Sequence, residues 1–282
     1  MTDISRVKSL RRWTARLREA NNKEKFHGFR FVDCEPGSTH DHWVSLTQKI
    51  CPICDGFQQG RDKQDGQDYY CLCATLQYLD RRWHEFHLYE SWCEPLTLDA
   101  LTPIPLPSVE AANDLNKLLD AVKEWMVEPT SWMFIQGGVG CAKSHVLQAI
   151  KTTLPWMTCY ISAAQLQGSL FASFKKDDTQ ELIRAMSLAP ILLLDDLGLE
   201  HPGAWTTNMF ASVIDNRYAR RTELATIVTT NIDPADLIGS VNQATRRIAS
   251  RITDRGVSKR FILRQTDYRN ILRKDLKKMG AL

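Results

Sequence analysis

Gly137-Gly138-Val139-Gly140-Cys141-Ala142-Lys143-Ser144-His145 is the stretch on which the fold turns. An apolar run from Ser131 to Gln136 precedes it, and a segment of helical periodicity from Lys143 to Lys151 follows it. A glycine-rich turn between a strand and a helix is what a phosphate-binding loop requires. The glycines let backbone N–H groups turn inward around an anion, and the helix N-terminus adds partial positive charge. In that setting Lys143 reaches the β- and γ-phosphates of ATP, and the Ser144 hydroxyl ligates Mg2+. Gly138, Gly140, Cys141, Ala142 and His145 complete the expected nucleotide contacts. Ala142 departs from the pattern, in which a glycine precedes the lysine. Its methyl group crowds the loop or restricts its backbone, which bears on turnover more than on binding.

Downstream, Ile191-Leu192-Leu193-Leu194 is a bare apolar run that ends in Asp195-Asp196. A buried strand ending in paired acids holds them rigidly at the C-terminal edge of a sheet, where ligands bind in open α/β folds. Asp195 is then the Mg2+ carboxylate, and Asp196 stands where a base or water-orienting group is needed. Alone, such a pair can equally cap a helix; its distance from the glycine loop fits a shared site. The intervening chain alternates. Helices are predicted over Ala111–Met126, Ala163–Phe174, Thr179–Leu188, Met209–Arg220 and Ala244–Thr253, and strands over Met157–Ile161 and Ala225–Thr229. Alternation with continuously apolar strands predicts a parallel sheet covered on both faces. The last strand runs out into Asn231, a residue also common in turns.

The order of glycine loop, acidic strand, Asn-terminated strand and Arg247-Ile248-Ala249-Ser250-Arg251 resembles the AAA+ initiator clade. Within it, the chain is similar to the DnaC/DnaI helicase loaders and the related IstB transposition helpers. Asp195-Asp196-Leu197-Gly198, Ile214-Asp215-Asn216-Arg217-Tyr218 and Thr266-Asp267-Tyr268-Arg269 carry the likeness further, over about residues 110–275. The resemblance implies an α/β chain, an AAA+ P-loop NTPase with a parallel sheet covered by helices. It implies ATP hydrolysis, possible at a slow rate, with Asp196 replacing the glutamate usual in the clade. Asn231 would orient the attacking water. Arg251 would be an arginine finger directed at a neighbouring subunit's ATP, and Arg269 a contact to nucleotide in its own subunit. Arg217 and Arg247 would lie near the subunit interface. Each arginine also admits the plainer reading of a solvated surface side chain. A finger acting between subunits implies head-to-tail self-association, as a ring or an open helix. In the clade, the segment corresponding to Ala163–Lys176 faces single-stranded DNA. Phe171, Phe174, Lys175 and Lys176 suit stacking and phosphate contacts, or the two phenylalanines form an ordinary apolar face.

The N-terminal third differs in character. Cys51-Pro52-Ile53-Cys54 and Cys71-Leu72-Cys73 give two close thiol pairs, separated by a Gly/Asp/Gln-rich excursion from Asp55 to Asp68 that reads as a loop or ribbon tip. Four thiolates in two pairs suit tetrahedral Zn2+, with His40, His42, His84 and His87 as possible substitutes for one ligand. Eight cysteines in a chain without secretory character favour metal or buried thiols over disulfides. A basic amphipathic helix is predicted over 9–26. The expected organisation is a zinc-binding partner domain at 1–95, a proline-rich linker at 96–109 and the ATPase domain at 110–282.

Charge is concentrated at the ends. Residues 1–30 carry nine Lys or Arg against three acids, and residues 246–278 carry twelve against three. Basic ends on a near-neutral body suit an anionic partner such as nucleic acid, or form solvated faces. No run approaches the length of a membrane-spanning helix and the N-terminus has no secretory core, so the cytoplasm, with no membrane partner, is the expected compartment.

Three function classes follow. The first is an ATP-dependent helicase loader whose zinc-bearing N-domain grips a replicative helicase. The second is an IstB-like or TnsC-like regulator of DNA transposition. The third is a nucleotide-bound interaction protein that never turns over, kept open by Ala142 and Asp196.

Overall fold

The structure, a computed structural model, describes residues 59–61, 68–70, 82–83, 85–86, 88, 96–101, 108–127, 129–154, 158–198, 204–267 and 269. The four cysteines of the expected zinc site, the four histidines named with them and the helix predicted over 9–26 lie outside these residues. The chain divides into two compact units, residues 1–81 and 82–282.

In the first unit, β1 (Gln59–Arg61) pairs antiparallel with β2 (Asp68–Tyr70), with Gln59 opposite Tyr70. This is a ribbon, as the Gly/Asp/Gln-rich excursion suggested.

The second unit begins ahead of the proline-rich stretch. Trp83 is fully buried there, and its indole Nε1 donates to the Ala185 carbonyl at 3.2 Å. Helix α1 (Val109–Val127) buries Leu115, Leu118, Leu119, Val122 and Trp125 along one stripe, the spacing expected of an amphipathic helix. Then follow β3 (Trp132–Gly137), α2 (Lys143–Thr153), β4 (Thr158–Ser162), α3 (Ala163–Lys175), α4 (Thr179–Ser187) and β5 (Ile191–Asp195). The chain continues through α5 (Ala204–Ala219), β6 (Ala225–Thr230), α6 (Pro234–Ile238), α7 (Gln243–Ile252) and β7 (Ser258–Leu263).

Five parallel strands form one sheet in the order β4-β5-β6-β3-β7. Strands β3 to β6 are buried almost without interruption, because helices cover both faces. Helix starts carry their own signals. Ser162 and Gln165 make a reciprocal capping box on α3, Asp233 caps α6 ahead of Pro234, and Asn242 accepts from Ala244 and Thr245 at the start of α7.

Two features differ from the sequence reading. Strand β7 is absent from the elements that periodicity predicts. Its Lys259 and Arg260 point to solvent while Phe261 and Leu263 are buried, and it closes the sheet beside β3. Arg217 admits the reading of a solvated surface side chain, but it is fully buried. Its guanidinium donates to the carbonyls of Met186 at 2.9 Å and Ala189 at 2.7 Å, to Thr226 Oγ1 at 2.9 Å, and to the Ala225 carbonyl. Burial pulls its pKa down to about 9. Arg217 therefore ties the end of α4 to β6 as a structural side chain.

Candidate nucleotide site

Parallel strands share a C-terminal edge, so their last residues converge. Gln136 lies opposite Thr230, and Leu194 opposite Val228, which brings the ends of β3, β5 and β6 into one line. The glycine loop, the acidic pair and Asn231 all leave the sheet at that edge.

The loop has the conformation its sequence suggests. Gly140 and Ala142 both adopt positive φ, 74° and 72°. The alanine's cost is therefore backbone restriction, since an L-residue in the left-handed region pays sterically where glycine does not. Gly140 also admits a close neighbour: a Cβ there would overlap the Asp267 carboxylate. Lys143 is buried, and its Nζ donates to the Gly137 carbonyl at 2.8 Å, the Gly138 carbonyl at 2.7 Å and, weakly, Cys141 Sγ at 3.7 Å. Among the described residues no carboxylate pairs with this ammonium. A buried cation held by neutral acceptors alone fits an anionic ligand. Ser144 is exposed beside it, and His145 Nε2 lies 3.1 Å from the Thr97 carbonyl. Burial pushes the Cys141 thiol up, and pushes Cys159 up to about 12, so both are neutral side chains and not nucleophiles.

Asp195 is buried and held from two directions. Thr229 Oγ1 donates to its Oδ1 at 2.6 Å, and Tyr160 Oη donates to its Oδ2 at 2.7 Å. Burial first, and then the Asp195 charge, push the Tyr160 phenol above its ordinary range, so it stays a donor. Thr229 Oγ1 also accepts from the Asp196 amide at 2.8 Å. One hydroxyl thus joins both acids. Asp196 sits at φ 50°, a region aspartate tolerates better than most residues, with its side chain exposed. One well-oriented carboxylate at the strand end is a donor that fits Mg2+, which takes few protein ligands and completes its shell from phosphate and water. Among the described residues there is no group of three or more His, Cys, Asp or Glu side chains that would hold a metal by themselves.

Asn231 follows the last residue of β6 and is exposed. Arg269 reaches the loop through Asp267: its amide and its Nε both donate to Asp267 Oδ1, at 3.0 and 3.2 Å, and Asp267 lies against Gly140. Arg251 is not part of this cluster. It stands in the last turn of α7, bound to Asp215 on α5. Sequence reasoning missed Tyr160, Thr229 and Asp267. Thr229 and Asp267 lie inside quoted stretches, but nothing in the sequence marks Tyr160, 35 residues before its partner.

A second feature is aromatic. Phe171 and Phe174 project from the exposed side of α3, whose buried residues include Leu166 and Leu170. They pack on Trp205 of α5, Phe171 in a stacked arrangement with ring centroids 6.1 Å apart and Phe174 edge-on at 5.5 Å. The two phenylalanines are 52% and 67% exposed, so they are not an interior apolar face. Lys175 and Lys176 are exposed next to them.

The strand order and the loop between β3 and α2 define an AAA+ P-loop NTPase fold. No family model matches the chain. A 71-residue stretch, 23% of this chain, is 34% identical to the chromosomal replication initiator protein DnaA of Nostoc punctiforme, of which it covers 15%. AMPPCP-bound DnaA from Aquifex aeolicus superposes with a TM-score of 0.52 at 22% identity, over 67% of this chain and 56% of that one. A replication initiator DnaA bound to AMPPCP and single-stranded DNA gives 0.51 at 21% identity, over 67% and 57%. The chain thus spans little more than half the length of these solved initiators. At this identity the likeness is one of fold. Among the described residues no helix is long and apolar enough to cross a membrane.

Proposed function

We propose that the chain is an ATP-dependent DNA replication helicase loader, which binds ATP and single-stranded DNA and assembles head to tail through ATP at subunit interfaces. The observation that carries the nucleotide reading is Lys143, a buried ammonium that no carboxylate among the described residues pairs with and that an anionic ligand would neutralise. The loop from Gly138 to His145 would surround the phosphates. Ser144 and Asp195 would hold Mg2+, which offsets charge on the transferring phosphate. Asp196 and Asn231, both exposed at the same edge, would orient the attacking water. Arg269 would contact nucleotide in its own subunit, and Arg251 would stabilise transition-state charge in the neighbouring one.

The DNA reading is supported by the exposed rings of Phe171, Phe174 and Trp205 beside Lys175 and Lys176. Aromatic faces that stack bases, with cations along the backbone path, suit single-stranded nucleic acid without sequence preference. A solved initiator of the same fold, bound to AMPPCP and single-stranded DNA, is in keeping with it. The helicase grip rests on the resemblance to the loaders and on the zinc-type spacing of Cys51, Cys54, Cys71 and Cys73.

Two measurements test the reading. Lys143→Ala is expected to abolish ATP binding, and a variant that binds within about threefold of wild type would remove the nucleotide reading. Pull-down against a replicative helicase and against a transposase, each with and without ATP, tests the partner. ATP-dependent capture of the helicase alone supports the loader, whereas capture of the transposase alone replaces it with the transposition regulator.

A further inference from the structure

Arg251 has a more specific setting than a surface arginine needs. Its Nε donates to Asp215 Oδ1 at 3.1 Å, and its guanidinium carbon lies 4.7 Å from the centroid of the Tyr218 ring. Asp215 and Tyr218 are three residues apart on α5, so they share one face of that helix. Asp215 is itself fixed by a second arginine, because Arg247, one turn earlier on α7, donates to its other oxygen. Tyr218 is fixed as well. Its hydroxyl donates to Asp254, its ring meets Trp132 edge-on at 6.1 Å, and Arg221 stacks on it at 4.9 Å. The Asp254 carboxylate accepts the Gly256 amide at 2.8 Å, which anchors it to the turn after α7.

The consequence is directional. An arginine has two rotatable bonds near its end, and a bond to Nε together with a ring under the plane fixes both. Among the described residues neither terminal nitrogen of Arg251 donates a hydrogen bond. The edge that is left over is the two-nitrogen edge, the one suited to paired contact with phosphate oxygens.

We propose that Asp215 and Tyr218 are positioning residues that hold the Arg251 guanidinium with its two-nitrogen edge turned out for the γ-phosphate of a neighbouring subunit. The inference rests on the reading of Arg251 as a finger acting between subunits. Without Asp215 the guanidinium samples many rotamers, and each assembled interface has to select the productive one. Such misplacement costs turnover and leaves the subunit's own ATP pocket intact.

The test compares Asp215→Ala and Asp215→Asn with Arg251→Ala, in ATP-dependent assemblies of the full chain. Asp215→Ala is expected to lower kcat by about 10- to 100-fold with KM for ATP unchanged. Asp215→Asn keeps an oxygen that can accept from Nε and should retain much of the wild-type rate. Mixing assigns the role. Asp215→Ala mixed with Lys143→Ala should recover turnover, because intact fingers then meet intact pockets. Asp215→Ala mixed with Arg251→Ala should recover none, since neither subunit brings a working finger. Wild-type kcat in Asp215→Ala overturns the inference while recovery in the Arg251→Ala and Lys143→Ala mixture keeps the finger reading. No recovery in that mixture removes both. If Asp215→Ala fails to fold, Tyr218→Ala replaces it under the same pattern, and a rise in KM without loss of kcat in either variant also overturns the proposal.

Discussion

Replacing Ala142 with glycine isolates the one departure from the phosphate-loop pattern. Ala142 sits at φ 72°, directly before the first residue of α2. An L-residue in this left-handed region costs about 1–2 kcal/mol relative to a right-handed one. Glycine relieves that cost but gains freedom in the unfolded chain, which takes back about 0.4–1 kcal/mol. The net expectation for Ala142→Gly is a gain of about 0.5–1 kcal/mol, which corresponds to a rise in Tm of a few degrees, about 2–4 °C per kcal/mol for a domain of this size. Urea titration, followed by tryptophan fluorescence, should show a higher midpoint at an unchanged slope. Function gives the second half of the prediction. If the positive φ is the same with and without nucleotide, the substitution has no differential effect on the two states and ATP affinity stays the same. A destabilised Ala142→Gly would show that the alanine does not hold this conformation in solution. A stabilised variant with much tighter ATP binding would show that the methyl group hinders the ligand directly.

Arg217→Ala should destabilise the second unit by about 1–3 kcal/mol, because it removes a buried donor shared by the carbonyls of Met186, Ala189 and Ala225; a loss under about 1 kcal/mol in chemical denaturation would mean water replaces it freely. Thr229→Val removes both the donor to Asp195 and the acceptor of the Asp196 amide, and should lower ATP turnover by about 10-fold or more. Tyr160→Phe should do the same to a smaller degree, and ATP affinity measured in EDTA should be unchanged in both, since Asp195 acts through Mg2+; a loss of affinity there would point to collapse of the pocket. Elemental analysis of chain purified without chelator should find about one zinc per chain, and less than half that amount would remove the four-cysteine reading. Cys54→Ser is expected to unfold the N-terminal unit while sparing ATP binding.

The elements that a short window of sequence encodes were legible without coordinates. The glycine loop, the apolar run before Asp195, and the helical stripe through Leu115, Leu118, Leu119 and Val122 each state their own conformation, through conformational freedom in the first case and periodic burial in the others. Sequence order then fixed the convergence of the candidate site, because parallel strands that alternate with helices must end on one edge. What sequence left open was every relation between residues that meet only through register. Ser258-Lys259-Arg260-Phe261-Ile262-Leu263 reads as part of a basic tail until pairing with β3 makes it a strand. Arg217 has the composition of a surface residue, yet carbonyl and hydroxyl acceptors from separate elements make its burial possible. Tyr160 finds Asp195, and Asp215 finds Arg251, from 35 and 36 positions away along the chain. Local propensity depends on near neighbours along the chain. The partners of a buried polar group depend on which strands and helices the whole sheet brings side by side, and no window of the sequence contains that information.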